Sequence, residues 1–211
     1  MDFWGDTDYV ADPLVVQSPS AHEIVVVLRR GAAISGTVVD EVGRALGEVS
    51  VTCYPAGTRL YEDEWPDGVV ESYTDEAGHF RARGLEPGRR YLVLAEGDAP
   101  HGMDLRRDVA VGSSDIGLVV RRGRRVAGRL LDASGVPVIE ATLMVFDDDG
   151  ELRAWYSTGY DGKFDLHGVP TSAARVSARL LDTVSDLPLG VLPEDVETIE
   201  LRLDIRVPRD E

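Results

Sequence analysis

The stretch Leu28–Asp40, LRRGAAISGTVVD, returns further on as Val120–Asp132, VRRGRRVAGRLLD. Setting Gly36 on Gly128 gives an offset of 92 residues. The same offset pairs Arg29-Arg30-Gly31 with Arg121-Arg122-Gly123, Asp40 with Asp132 and Gly43 with Gly135. Downstream, Gly78-His79-Phe80 answers to Gly162-Lys163-Phe164 and Gly84-Leu85 to Gly168-Val169, now at an offset of 84. The first copy is therefore eight residues longer, and the excess falls between Tyr54 and Tyr73. A chain of 211 residues that repeats itself in this way reads as two small domains, each near the roughly 100 residues that one core supports.

Each copy is a series of short runs with period-two alternation, bounded by Gly, Pro and Asp, which predicts antiparallel strands. The first copy has runs at 34–40, 48–54, 69–74, 79–83, 90–96 and 116–120; the second has them at 126–132, 140–146, 152–157, 163–167, 175–181 and 199–207. Neighbouring side chains on a strand point to opposite faces, so Val49, Val51 and Cys53 share one face, as do Ala141, Leu143 and Val145. Ile199, Leu201, Leu203, Ile205 and Val207 make an apolar stripe with Glu200, Arg202, Asp204 and Arg206 facing water. Phe80 and Phe164, each behind a glycine turn, are expected to plug the two cores. Gly78, Gly150 and Gly162 sit where hairpins need positive φ, a conformation that costs a residue with a Cβ about 1 kcal/mol or more. They read as turn residues, because no helix start follows them and no P-loop or dinucleotide fingerprint is present.

A third echo precedes the first copy. His22–Gly31, HEIVVVLRRG, matches Ser114–Gly123, SDIGLVVRRG, which is the last run of the first copy with its exit. The expected organisation is thus a tail plus a strand resembling the end of a missing repeat at 1–30, then sandwich repeats at 31–121 and 122–211.

Gly36, Val38, Asp40, Gly43, Val51, Asp75, Gly78, Phe80, Leu85, Pro87, Gly88 and Tyr91 together resemble the carboxypeptidase regulatory-like domain, a prealbumin (transthyretin)-type seven-stranded sandwich. The second copy carries Gly128, Leu130, Asp132, Gly135, Pro137, Leu143, Asp161, Gly162, Phe164, Val169 and Pro170, but lacks the Pro-Gly pair and the tyrosine. The resemblance implies an all-β chain of two tandem Greek-key prealbumin-like β-sandwich domains. It also implies an accessory module, typical of secreted or surface proteins, that folds beside other domains without doing chemistry.

Composition narrows the function classes. Hydrophobic residues are 43% and charged residues 28%, the balance of a folded chain. With 22 basic against 38 acidic residues the net charge is −16, a field that repels phosphate backbones, so no nucleic-acid partner is expected. Cys53 is the only cysteine, which rules out an intrachain disulfide and a multi-thiolate metal site. No apolar run of about 18 residues occurs, so no membrane insertion is expected. Met1–Asp6 lacks the basic-then-apolar pattern of a secretory signal, which leaves a cytoplasmic chain or one whose leader was removed.

No catalytic set assembles from the sequence. The four histidines are scattered, and His79 and His167 do not occupy equivalent repeat positions. A nucleophile elbow is absent, and the carboxyl end, Arg206–Glu211, is not the Tyr-Arg-Gly-Ser of the transthyretin-fold hydrolases. No enzyme, cofactor or metal site is expected. Asp147-Asp148-Asp149-Gly150 lacks EF-hand spacing and reads as a hairpin turn. Binding is assigned instead to the 59–68 insertion, with Tyr61, Glu62, Asp63, Glu64, Trp65 and Asp67 as candidate contacts. The second copy folds without it, and loops that a fold can omit often carry binding. The expected function is a non-catalytic module that spaces, presents or binds protein partners. The alternatives are carbohydrate- or calcium-dependent adhesion through the insertion and a transthyretin-fold hydrolase, against which the carboxyl end argues.

Overall fold

In a computed structural model the described residues are 8–11, 28–58, 60, 66–180 and 186–207, and every regular element among them is a β-strand. A short pair, β1 (Tyr9–Ala11) and β2 (Leu28–Arg30), comes first. The first copy then supplies β3 (Ala32–Val39), β4 (Ser50–Pro55), β5 (Val70–Tyr73), β6 (His79–Leu85), β7 (Arg90–Glu96), β8 (Met103–Ala110) and β9 (Ile116–Val119). These form a three-stranded sheet, β6-β3-β9, and a four-stranded sheet, β5-β4-β7-β8. The second copy supplies β10 (Arg124–Leu131), β11 (Thr142–Phe146), β12 (Leu152–Ser157), β13 (Lys163–Val169), β14 (Ala174–Arg179), β15 (Leu187–Leu192) and β16 (Thr198–Arg202). It repeats the plan as β13-β10-β16 and β12-β11-β14-β15. Each pair of sheets closes on its own apolar core, around Ile34, Val51, Phe80 and Leu118 in the first and Val126, Leu143, Phe164 and Leu201 in the second. The chain is an all-β sandwich protein.

The repeated residues are architectural. β3 runs parallel to β9 with Gly36 opposite Ile116, and β10 runs parallel to β16 with Gly128 opposite Ile199. A Cβ on Gly36 would stand 2.0 Å from the Ile116 carbonyl oxygen and 2.8 Å from the Phe80 ring; on Gly128 it would stand 1.9 Å from the Ile199 oxygen and 2.7 Å from the Phe164 ring. The glycine is there because a strand and an aromatic ring both close on its α-carbon. Asp40 Oδ1 accepts from the Val42 and Arg44 amides, and Asp132 Oδ1 accepts from Ser134 and Val136 in the same way. The buried hydroxyls of Thr74 and Thr158 each accept one amide, from Val49 or Ala141, and donate to one carbonyl, of Leu46 or Val138. These bonds satisfy backbone groups at the sandwich rims that the sheets leave over.

Several expected strand limits need correction. The seventh strands, β8 and β15, were not among the expected runs. β8 holds four charged residues in eight, and β15 contains Pro188 and Gly190, which an edge strand tolerates. Strands β4 and β11 start two residues later than expected, because Glu48 and Glu140 lie at φ of 58° and 54° and break the extended chain. The stripe of the last strand is interrupted at Ile205: β16 ends at Arg202, the chain bends as Ala133 donates to the Ile205 carbonyl, and Ile205 is 43% exposed, while Val207 packs on the core again.

Candidate functional site: the seam between the sandwiches

Strand β7 does not alternate in burial. Tyr91, Val93 and Ala95 face the first core, yet Leu92 and Leu94 on the opposite face are also buried, at 6% and 1% exposure. They are covered by the second sandwich: Leu92, Leu94, Met103 and Leu105 form a third apolar cluster with Met144 of β11 and Leu152 of β12. Tyr54, Phe146 and Trp155 pack against its margin. The outer faces of the two four-stranded sheets therefore meet. Covering both faces of a sheet turns an alternating strand into a continuous apolar run, which is how Tyr91–Ala95 (YLVLA) and Leu143–Val145 (LMV) read. That run is the sequence signal of the seam, and period-two alternation, which marks the core-facing half of each strand, does not show it.

Polar groups frame the cluster. Asp104 of β8, 4% exposed, accepts from the Val119 amide at 2.8 Å and from Arg153 of β12 at 3.0 Å. Arg153 also donates to Asp147 at 2.6 Å. Burial opposes the Arg153 charge, but hydrogen bonds and attraction from Asp147 and Asp104 outweigh it and hold the guanidinium above its ordinary value. Burial likewise pushes the Asp147 carboxyl up, while the bonds from Arg153 and the Glu151 amide prevail and bring it below the usual carboxylate range. At the other margin the Trp155 indole N–H donates to Glu96 at 2.5 Å. Burial is the main cause that raises the Glu96 carboxyl; the Trp155 bond works against the rise and the Glu71 charge adds to it. Arg179 of β14 reaches the Leu60 carbonyl at 2.9 Å.

Main-chain contacts close the hinge side. The Gly123 amide donates to Pro100 and the Gly102 amide to Arg121, and a Cβ on Gly168, whose φ is 68°, would stand 2.1 Å from the α-carbon of Gly102. Only glycine fits such an approach.

Of the expected binding residues, Tyr61, Glu62, Asp63, Glu64 and Trp65 lie outside the described residues. Asp67 is exposed on a turn and lines a cleft with Arg29, Arg30 and Arg89, away from the seam. Leu60, at the base of the same insertion, does pack on the third cluster. Asp147 spends one carboxylate oxygen on the Glu151 amide and the other on Arg153, the arrangement of a hairpin turn tied to its neighbour strand. Among the described residues no group of three or more His, Cys, Asp or Glu is placed to hold a metal ion. His79 and His167 each lie 3.5 Å from a nearby aspartate, Asp75 and Asp165, on separate sandwiches. Cys53 is buried, and burial pushes its thiol up to about 12, which leaves no thiolate at neutral pH. No helix among the described residues is long and apolar enough to cross a membrane.

No family model matches the chain, and no curated protein matches it. Among solved structures it is similar to the Streptococcal ancillary pilin, at 15% identity over 94% of this chain and 71% of that one, with a TM-score of 0.33. It is also similar to GBS52, the minor pilin of Streptococcus agalactiae, at 11% identity over 85% of this chain and 99% of that one (TM-score 0.32). A third is the shaft pilin SpaA of Lactobacillus rhamnosus GG, at 12% identity over 84% of this chain and 100% of that one (TM-score 0.31). The sheets described above, rather than these distant likenesses, define the class to which the chain belongs.

Proposed function

We propose that the chain is a non-catalytic structural module, a stiff spacer of two carboxypeptidase regulatory-like domains at 31–121 and 122–211 that holds protein partners at a fixed separation. The observation that carries this reading is the seam: the central strands β7 and β11 buried on both faces, with a nearly buried Asp104–Arg153–Asp147 chain of charges at the margin. Sandwiches joined only by a linker keep their outer faces wet and move independently. Here Leu94 alone removes a leucine from water, a contribution of about 2 kcal/mol.

Calorimetry and small-angle scattering test it. The chain should unfold in one transition and scatter as a single rigid particle. Met144→Lys, which puts a charge into the seam and leaves both cores intact, should split the transition in two and broaden the particle. Two independent transitions in the unaltered protein would remove the basis for a spacer.

Within the same reading, the insertion is a contact loop for a carbohydrate or a basic peptide, fixed at its base where Leu60 packs on the seam. Binding measured on a glycan panel and on basic peptides should weaken by at least about tenfold in Trp65→Ala, the loss of one stacked aromatic contact. Unchanged binding would move the contact elsewhere.

A further inference from the structure

We propose that a trough along the β12–β13 edge of the second sandwich binds a neutral oligosaccharide. This goes beyond the spacer reading and gives the rigid body a ligand site of its own. The trough is made of two hollows of about 320 and 520 Å³ that meet at Tyr156 and Asp165, each within the roughly 300–1,000 Å³ of small-molecule pockets. The inner hollow takes its walls from both copies, Glu96 and His101 from the first and Trp155, Tyr156 and His167 from the second. The outer hollow lies over the sheet β13-β10-β16, around Arg125 and Lys163. The base of the insertion reaches β14, on the far side of β11 from β12, so the trough is separate from the contact loop.

The duplicated fold shows which of these residues the architecture does not require. Tyr156 pairs with Leu143 as Ser72 pairs with Val51, so Tyr156 stands in the place of Ser72. In the same register Asp165 stands in the place of Arg81, and Arg125 in that of Ala33. The first sandwich closes its core with a serine, an arginine and an alanine at these positions, so the tyrosine and the ion pair are not needed for folding. Tyr156 is 37% exposed, and its hydroxyl makes no hydrogen bond among the described residues. Beside it, the Trp155 ring is fixed by its bond to Glu96 and by packing on the third cluster. The pair presents aromatic surface next to polar groups, the make-up of a site that orients a small ligand.

The hydrogen-bonding groups select the ligand. Arg125 gives its Nε and Nη2 hydrogens to the two oxygens of Asp165, each at 2.7 Å, a planar pair whose remaining donors and lone pairs lie at fixed positions. Around the same hollow Lys163 pairs with Asp161 and Arg202 with Glu200. Donors and acceptors therefore stand side by side with little net charge. An acidic ligand meets the −16 field of the chain, and a basic peptide finds these carboxylates already engaged. Sugar hydroxyls both donate and accept, and the C–H face of a sugar ring packs on an aromatic one. A neutral oligosaccharide matches both features at once.

Titration calorimetry with the neutral tetrasaccharides of glucose, mannose, galactose and N-acetylglucosamine tests this, in a Trp65→Ala background that removes the aromatic contact of the insertion. At least one of the four should bind. Tyr156→Ser and Arg125→Ala, which place there the residues of the first copy, should each weaken that binding by at least about tenfold, the loss of one stacked or bidentate contact, with the melting temperature unchanged. Tyr9→Ser, at an exposed tyrosine on β1 outside the trough, should leave binding as it was. Binding of none of the four sugars, or binding that survives either trough substitution, overturns the proposal. Binding that disappears with Trp65→Ala alone also overturns it and returns the sugar to the insertion, and so does a trough that takes a basic peptide and no sugar. The single melting transition is measured apart from all of these, so the spacer reading stands or falls separately.

Discussion

The two sandwich interiors and the seam between them are both apolar and both buried, yet they are built on opposite rules. The interiors are duplicates: Gly36 and Gly128, Phe80 and Phe164, Asp40 and Asp132, Thr74 and Thr158 do the same work at matching positions. The seam is made of mismatches. Across β4 and β7 the outward pair is Thr52 and Leu94; across β11 and β14 the equivalent pair is Met144 and Ser177. A large residue stands on one sheet where the other has a small one, so the faces fit as unlike halves. Matching positions make the frame, and differing outward positions make the contact.

Gly128→Ala is the most severe way to probe the interior rule. Its Cβ would overlap the Ile199 carbonyl and the Phe164 ring together, and neither can withdraw without moving β16 or emptying the core. We expect a loss of at least about 4 kcal/mol, in the range reserved for special backbone positions and core strain. Urea titration followed by tryptophan fluorescence would measure it, and a loss under about 1 kcal/mol would mean that the repeated glycine is not what holds the parallel strand in place. Gly36→Ala should behave alike in the first sandwich, because the interiors are copies.

The seam rule predicts a smaller and one-sided effect. Arg153→Met keeps the apolar stem but strips Asp147 of its guanidinium partner and leaves Asp104 with Arg106 alone. Breaking one member of a buried ion pair costs about 3 kcal/mol or more, mostly through the charges left behind. Adding Asp104→Asn should recover part of that loss by removing a buried carboxylate left with Arg106 as its guanidinium partner, a coupling that a double-mutant cycle reads directly. Simple additivity of the two substitutions would show that the two sandwiches do not communicate through this pair.

How much of this was legible in the sequence follows from the same contrast. Interior features repeat, and repetition is visible: period-two alternation, glycines before Phe80 and Phe164, and Asp40 with Asp132 placed the strands and turns. Strand β8 stayed hidden because MDLRRDVA carries its charges on both faces, and β15 because proline and glycine mimic a turn. The seam was hidden for a different reason. Leu92 and Leu94 look like outward residues until a second sheet covers them, and a pairing of unlike faces leaves no periodic mark in either copy. The continuous run Tyr91–Ala95 was the available clue. As for the insertion, residues 61–65 lie outside the described residues, while Leu60 ties its base to a surface that alternation alone did not reveal.

The mildest test concerns acid. Glu96 sits at the seam with its carboxyl held above the ordinary range, chiefly by burial. The folded state therefore binds its proton more tightly than the unfolded chain does. The stability from this group is fully present below the unfolded value and is lost as pH rises through the folded one. At neutral pH the buried charge is a burden on the seam. Glu96→Gln keeps an oxygen for the Trp155 indole and removes the charge, so the variant should melt roughly 1 to 3 °C higher near pH 7. The difference should shrink as pH falls and the native carboxyl takes up its proton. Asp147 has the reverse sign: its carboxyl is held low, so its contribution is present above the unfolded value and is lost as pH falls through the folded one. Melting curves of Glu96→Gln and Asp147→Asn between about pH 4 and 8 should therefore diverge from the parent protein in opposite directions at neutral pH. If Glu96→Gln melts below the parent there, the carboxylate is helping the seam, and its hydrogen bond to Trp155 outweighs its burial.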